Sequence, residues 1–328
     1  MAIWPTRPCW CQRQTPWYMA GMLVMGVDEN GLGPRLGPLL ASSVALQTPR
    51  YARAALCERG LALGLTDSKE TGGFGRMGFA ESVALALVKR VGGGLPASAD
   101  ELLDRVSPES RPRLRACCPD EPTAGQCWAV DLRLPVFGGD ASYGEALLDR
   151  LVGRSSLRIV DVQSRVACAG VLNAELDAGK NKLAVDLELF EDLISSVQTR
   201  HGSPLLAVCG MIGGIRDYAS RLSRFEPHRV ESLAGRRGQR RYTVDGVGEV
   251  RFEVDADARH LPVALASIVG KYVREICMRR IGEFYRQGIP ELKLASGYHD
   301  PATTRFIDAT ESSRRRLGIA TACFRRQA

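Results

Sequence analysis

The feature that most constrains this chain is an apolar run that stops in acid and glycine. Met22 to Val27 reads as a buried strand, and Asp28-Glu29-Asn30-Gly31-Leu32-Gly33-Pro34 follows at once. Acids at a strand's end beside turn-forming glycines suggest a site. Taken alone, the same cluster equally suits a solvated strand terminus with its turn.

A second apolar run from Leu39 to Leu46 lies close enough for antiparallel pairing with the first. Residues 78–91 carry apolar side chains at helical intervals up to the glycines at 92–94, which predicts a helix. Residues from about 92 to 155 turn rich in Gly, Pro, Ser and Arg and read as an insertion or small subdomain. Leu157 to Val166 resumes a strand pattern, and Asn181 to Val197 suits an amphipathic helix. Leu205 to Val208 is then a short buried strand. Val250 to Val254 reads as a strand leading into Asp255 and Asp257. Leu265, Ile268, Tyr272 and Ile276 mark one face of a following long helix, with Arg274, Arg279 and Arg280 on its polar side. Strands alternating with helices after an opening hairpin predict an α/β fold, a mixed sheet with flanking helices.

At 328 residues and 45% hydrophobic, the chain can bury a substantial core as one elaborated domain or two. The net charge of +7 suits a polyanionic partner but also an ordinary solvated surface. The ten cysteines form no pair of knuckles at zinc-finger spacing and read as reduced cytosolic thiols. No apolar run reaches the ~18–20 residues that span a bilayer. The first 21 residues lack the apolar stretch of a secretory signal, so the expected location is cytoplasmic. That leader reads as a disordered arm, a nucleic-acid-contacting tail, or sequence upstream of the true start. Residues 311–328 form a basic C-terminal tail.

Four segments, in order, resemble type 2 ribonucleases H, the ribonuclease HII family. They are Gly26 to Pro34; Thr66-Asp67-Ser68-Lys69; Asp257 through Ala266-Ser267-Ile268 with Lys271 and Arg274-Glu275; and Ser296-Gly297-Tyr298. The ten positions from Asp257 to Ser267 match the spacing expected between the family's last catalytic aspartate and its Ala-Ser-Ile helix. The resemblance runs from residue 22 to about 310, with no counterpart for 92–155. It implies a ribonuclease-H-like sheet, RNA–DNA hybrid as partner, and hydrolysis of the RNA strand with Mg²⁺ or Mn²⁺.

By that resemblance Asp28, Glu29 and Asp257 are the catalytic metal-binding acids. Asp257 would otherwise read as a residue favoured near a helix start. Gly31 and Gly33 would let backbone amides approach the ribose 2′-hydroxyl. Lys69 would contact the nucleic-acid backbone, and Tyr298 would pack against the ribose. The sequence departs from the family twice. Leu32 stands where the family has Arg, and Cys209 occupies the third acidic position. A thiol with an ordinary pKa of ~8.5 is a poor ligand for Mg²⁺. Asp217 would compensate only if the Gly213-Gly214 turn folded back. Two readings therefore stand: a metal-dependent endonuclease, or a hybrid-binding protein with weakened catalysis. A weaker third has the cysteine-bearing insertion recruit a protein partner, with the core as scaffold.

Overall fold

A computed structural model describes residues 21–65, 77–116, 118, 125–153, 156–225 and 229–327. The leader before residue 21 and the segment with Lys69 lie outside them. Seven strands form one mixed sheet in the order β3-β2-β1-β4-β7-β6-β5. In chain order they are β1 Met22–Asn30, β2 Leu39–Thr48, β3 Arg158–Ala167, β4 Leu205–Gly210, β5 Val230–Leu233, β6 Gln239–Val244 and β7 Gly248–Glu253. The expected hairpin is present, β1 and β2 pairing antiparallel from Met22↔Thr48 to Asn30↔Leu40. β4 joins β1 in parallel, with Val27 opposite Cys209, and β7 joins β4 in parallel. The expectation did not extend to β5 and β6. β5 is mostly exposed and polar, so the apolar signal that marks β1 and β4 is missing there.

The helices are α1 Arg53–Ala62, α2 Met77–Gly92, α3 Ala99–Val106, α4 Arg111–Leu114, α5 Ala141–Val152, α6 Ala169–Asp177, α7 Lys182–His201, α8 Ala256–Arg259, α9 Leu261–Arg286, α10 Pro301–Ala309, α11 Glu311–Arg316 and α12 Thr321–Phe324. The α7 helix starts where the Asn181 side chain accepts from Ala184 N–H (2.9 Å), and ends where Gly202 takes φ 62°. α7 and α9 lie on opposite faces of the sheet. Leu23, Met25 and Val27 pack with Leu187, Phe190 and Ile194 of α7, whereas Val24 packs with Val263 of α9. This is the alternation a strand imposes on its side chains.

The described part of residues 92–155 packs into the main core. Leu102, Leu103, Leu147, Leu148 and Leu151 share one apolar cluster with α2 and α9. Buried Glu81 of α2 pins the end of this segment, accepting from the N–H groups of Val136 (2.6 Å), Phe137 (2.7 Å) and Gly139 (2.8 Å) and from Tyr272 Oη (3.1 Å). The expected polar face of α9 is corrected. Arg280 is fully buried, donating to Asp100 Oδ1 (2.6 Å) and the Trp128 carbonyl oxygen (3.1 Å), and Arg274 is buried as well. Both guanidiniums sit inward because partners wait for them, which apolar periodicity cannot register. In the basic C-terminal segment, Phe324 packs in a cluster with Leu36, Tyr285 and Phe306.

At Gly26 the α9 backbone meets β1 directly. A Cβ at this position would lie 2.1 Å from Pro262 C and Val263 N. Gly26→Ala is therefore expected to cost about 3 kcal/mol or more, measured as a lower urea midpoint. Gly33→Ala, which meets nothing within 4 Å, should stay within about 0.5 kcal/mol.

A pH effect follows from Glu191 of α7, whose carboxyl is pushed up to about 8 by burial, against hydrogen bonds from the Arg224 and Phe225 N–H groups. A carboxyl with a raised folded-state pKa contributes stability that is complete below its unfolded pKa and is lost as pH rises through 8. The melting temperature of Glu191→Gln relative to wild type should rise steadily between pH 5 and 8, as read by thermal melts in matched buffers. A constant difference would show that Glu191 ionises normally.

Candidate active site

β1 carries Asp28 and Glu29 inside the strand rather than beyond it, since β1 extends to Asn30. Adjacent strand positions face opposite sides, so the alternation continues past Val27 with Asp28 on the α9 side and Glu29 on the α7 side. The geometry beside Asp28 agrees, because a Cβ on Gly210, its neighbour on β4, would lie 2.9 Å from Asp28 Oδ1. The parallel pairing of β1 with β4 thus brings both strand ends to one edge of the sheet.

A cleft of about 1120 Å³ opens there. Its lining includes Asp28, Glu29, Gly31, Gly33, Asp257 and Tyr298, six of the residues singled out from the sequence. Asp257 reaches it from α8, just ahead of α9, and Ser267, Lys271, Arg274 and Glu275 follow along α9. Val136 and Phe137, held by Glu81, form part of another wall. Carboxylates and cations therefore meet at one cleft, which suits a polyanion whose phosphates must be held near acids.

The glycine turn is fixed by two arginines that arrive from elsewhere. Gly31 is buried with φ 89°, a conformation favouring glycine, and a Cβ there would meet the Pro38 carbonyl oxygen at 2.8 Å and Arg274 Nε at 2.9 Å. Arg274 also donates through Nη1 to Glu275 Oε1 (2.9 Å) and through Nη2 to the Ser296 carbonyl oxygen (2.9 Å). Its guanidinium carbon lies 4.8 Å from the centroid of the Tyr298 ring, cation–π range for a ring that is about half exposed. The Ser296-Gly297-Tyr298 loop is tied to the turn in addition, Arg35 N–H and Leu36 N–H donating to the Gly297 carbonyl oxygen (2.7 and 3.1 Å).

The second arginine is Arg326, which donates to the carbonyl oxygens of Gly31 (2.5 Å) and Leu32 (2.9 Å). Burial, and then the nearby Arg274 guanidinium, pushes Arg326 down to about 10. The cation missing from the turn at Leu32 thus has a counterpart under the turn, supplied from the C-terminal segment. No local signal connects position 326 with position 31.

Cys209 lies fully buried on the α7 side, in the cluster with Val27, Ala207 and Phe252. Its thiol is pushed up well beyond the ordinary range by burial and then by Asp28 and Asp186. A neutral thiol in an apolar cluster is a poor ligand for a hard cation. Asp217 does not replace it. Exposed Asp217 accepts from Tyr242 Oη (3.1 Å) and lies outside the cleft lining.

Sequence reasoning missed Asp186 of α7. It is fully buried, and among the described residues neither carboxylate oxygen has a hydrogen-bond partner. Burial pushes its carboxyl well up, and Glu29 and Asp28 add to the shift. The signal existed, because positions 186, 190, 193 and 197 form one helical stripe in which Phe190, Leu193 and Val197 are buried. A carboxylate on an apolar stripe is the anomaly that marks it.

The ribonuclease HII family model matches residues 229–322, less than half of the chain. The structure of the PCNA:RNase HII complex from Archaeoglobus fulgidus is similar at 19% identity and TM-score 0.43, covering 94% of this chain and 98% of that one. Ribonuclease H2 from Pyrococcus horikoshii OT3 is similar at 17% identity and TM-score 0.45, covering 92% of each chain. Bst-RNase HIII in complex with Mn²⁺ is similar at 16% identity and TM-score 0.44, covering 93% of this chain and 66% of that one. No curated protein matches the chain. The chain resembles type 2 ribonucleases H, and the stretch matched by the ribonuclease HII model contains Asp257, Ser267, Lys271, Arg274 and Tyr298.

Proposed function

We propose that this chain is a divalent-metal-dependent endonuclease that hydrolyses the RNA strand of RNA–DNA hybrids. The observation that carries the reading is the meeting, in one cleft, of Asp28, Glu29 and Asp257 with the Gly31–Gly33 turn and the exposed Tyr298 ring. The match to the ribonuclease HII model through Asp257 and Tyr298 supports the same class of reaction.

The donor chemistry fits Mg²⁺ or Mn²⁺. Asp28, Glu29 and Asp257 offer hard oxygens. Among the described residues no three His, Cys, Asp or Glu side chains form a finished metal cage. Mg²⁺ does not require one, because it keeps several waters and takes one or two carboxylates together with substrate phosphate. When bound, such an ion would activate water and stabilise charge on the attacking and leaving oxygens.

The chain's own residues do the rest. Asp28, Glu29 and Asp257 would hold the ion. Lys271 and Arg279, both on the cleft lining, place positive charge where phosphates would run. Gly31 and Gly33 keep the turn backbone within reach of a 2′-hydroxyl, the group that separates RNA from DNA. Tyr298, its ring backed by Arg274, offers a flat surface to the sugar beside the scissile bond. Among the described residues no helix is long and apolar enough to cross a membrane. A cytoplasmic location is part of the proposal.

The buried thiol of Cys209 favours a second reading, a hybrid-binding protein with weakened catalysis. One assay separates the two. With a labelled RNA–DNA hybrid and Mn²⁺, the wild type should cut the RNA strand, and Asp28→Asn should lower that rate more than about 100-fold, since even residues that only orient metal ligands cost 10–100-fold. Binding to the hybrid should persist in the variant and weaken as salt rises. Salt-sensitive binding without cleavage by the wild type would establish the second reading, and cleavage untouched by Asp28→Asn would rule out the first.

A further inference from the structure

Asp186 has no role in the reading above, and its surroundings demand one. A buried carboxyl is ordinarily hydrogen-bonded, and leaving one unsatisfied costs about 1–3 kcal/mol. Here both oxygens lack a hydrogen-bond partner among the described residues, and the charged groups that act on the carboxyl are two further carboxylates, those of Glu29 and Asp28. Protonation alone would not resolve this, because a neutral carboxylic acid still carries a donor and an acceptor to satisfy.

Its position is fixed by its neighbours in α7. Val185 packs beside Leu39 and Leu32 of the glycine turn, and Leu187 packs in the cluster that holds Val27 and Cys209. Asp186 therefore lies between the turn and the end of β4, on the sheet face to which Glu29 and Cys209 belong. An acid at position 209 would add a further carboxylate to the space Asp186 occupies. The uncharged thiol leaves that space to one acid.

We propose that Asp186, buried behind the cleft lining rather than on it, supplies a third metal-binding carboxylate to the site, moved from the end of β4 to α7, with Cys209 as the complementary change that accommodates it. The inference rests on the metal-dependent reading of the site. A cation shared with Glu29 and Asp28 would satisfy the orphaned oxygens and offset the repulsion among the three acids.

The test is Mn²⁺ binding to the full chain by isothermal titration calorimetry, together with thermal melts in EDTA. Asp186→Asn should weaken Mn²⁺ binding at least about 10-fold, as loss of a ligand or of its support does. Without metal the variant should melt no lower than wild type, because the amide removes a charge that had no partner. Adding Cys209→Asp to Asp186→Asn should restore much of the affinity by returning the acid to the strand. Wild-type affinity in Asp186→Asn, with Asp28→Asn weakened, would overturn the role of Asp186 and leave the metal site standing. Unchanged affinity in both would overturn the metal site itself. An Asp186→Asn protein that melts far lower in EDTA would show that Asp186 has a structural partner, contrary to the proposal.

Discussion

The contact between α9 and β1 governs the arrangement of everything else. Helix and strand approach at Gly26, where β1 has no side chain to hold the Pro262–Val263 backbone away. A second close approach lies about two turns further along α9, where a Cβ on Gly270 would meet Asn30 Nδ2 at 2.6 Å and Ser42 Oγ at 2.9 Å. Two glycines on opposite partners thus set the helix against the strand at both ends. Asp257, before α9, and Lys271 and Arg274, on it, are then obliged to lie beside Asp28 and Glu29. A bulkier residue at either position would push the two halves of the cleft apart.

Charge follows from the same geometry. The acids come from a strand end and from the short α8, whereas the cations come from α9 and from the C-terminal segment. Arg274 joins the groups, touching Glu275, Ser296 and Tyr298 and standing against Gly31. Buried beside a carboxylate and a carbonyl, it acts as a brace for the turn and the tyrosine rather than as a surface charge. Arg326 performs the corresponding task from beneath, holding the carbonyls of Gly31 and Leu32. The turn's amides thereby stay on the side of the cleft.

What was legible in the sequence was what is local. β1, its acid-glycine end, the hairpin with β2 and the long helix after Asp257 all follow from short patterns, and the structure has them within a few residues. Arg280 and Arg274 were misread because a helical pattern reports an apolar stripe but not the partner that draws a guanidinium inward. Asp186 stood in the open, an acid four residues ahead of Phe190 on a buried stripe, but its meaning depends on Glu29 lying on the same face of the sheet. Arg326 was beyond reach, since nothing near position 326 foretells a contact with Gly31. The segment 92–155 read as an insertion because its turns are dense, yet its leucines complete the core under α2.

The central claim, that the acids at the end of β1 hold a divalent cation in this cleft, is most directly tested by diffraction from crystals soaked in Mn²⁺, with data collected for anomalous scattering. A strong peak within about 2.0–2.6 Å of carboxylate oxygens of Asp28 or Glu29 is the expected result. Crystals that show manganese only at surface sites, with the cleft empty at saturating Mn²⁺, would contradict it.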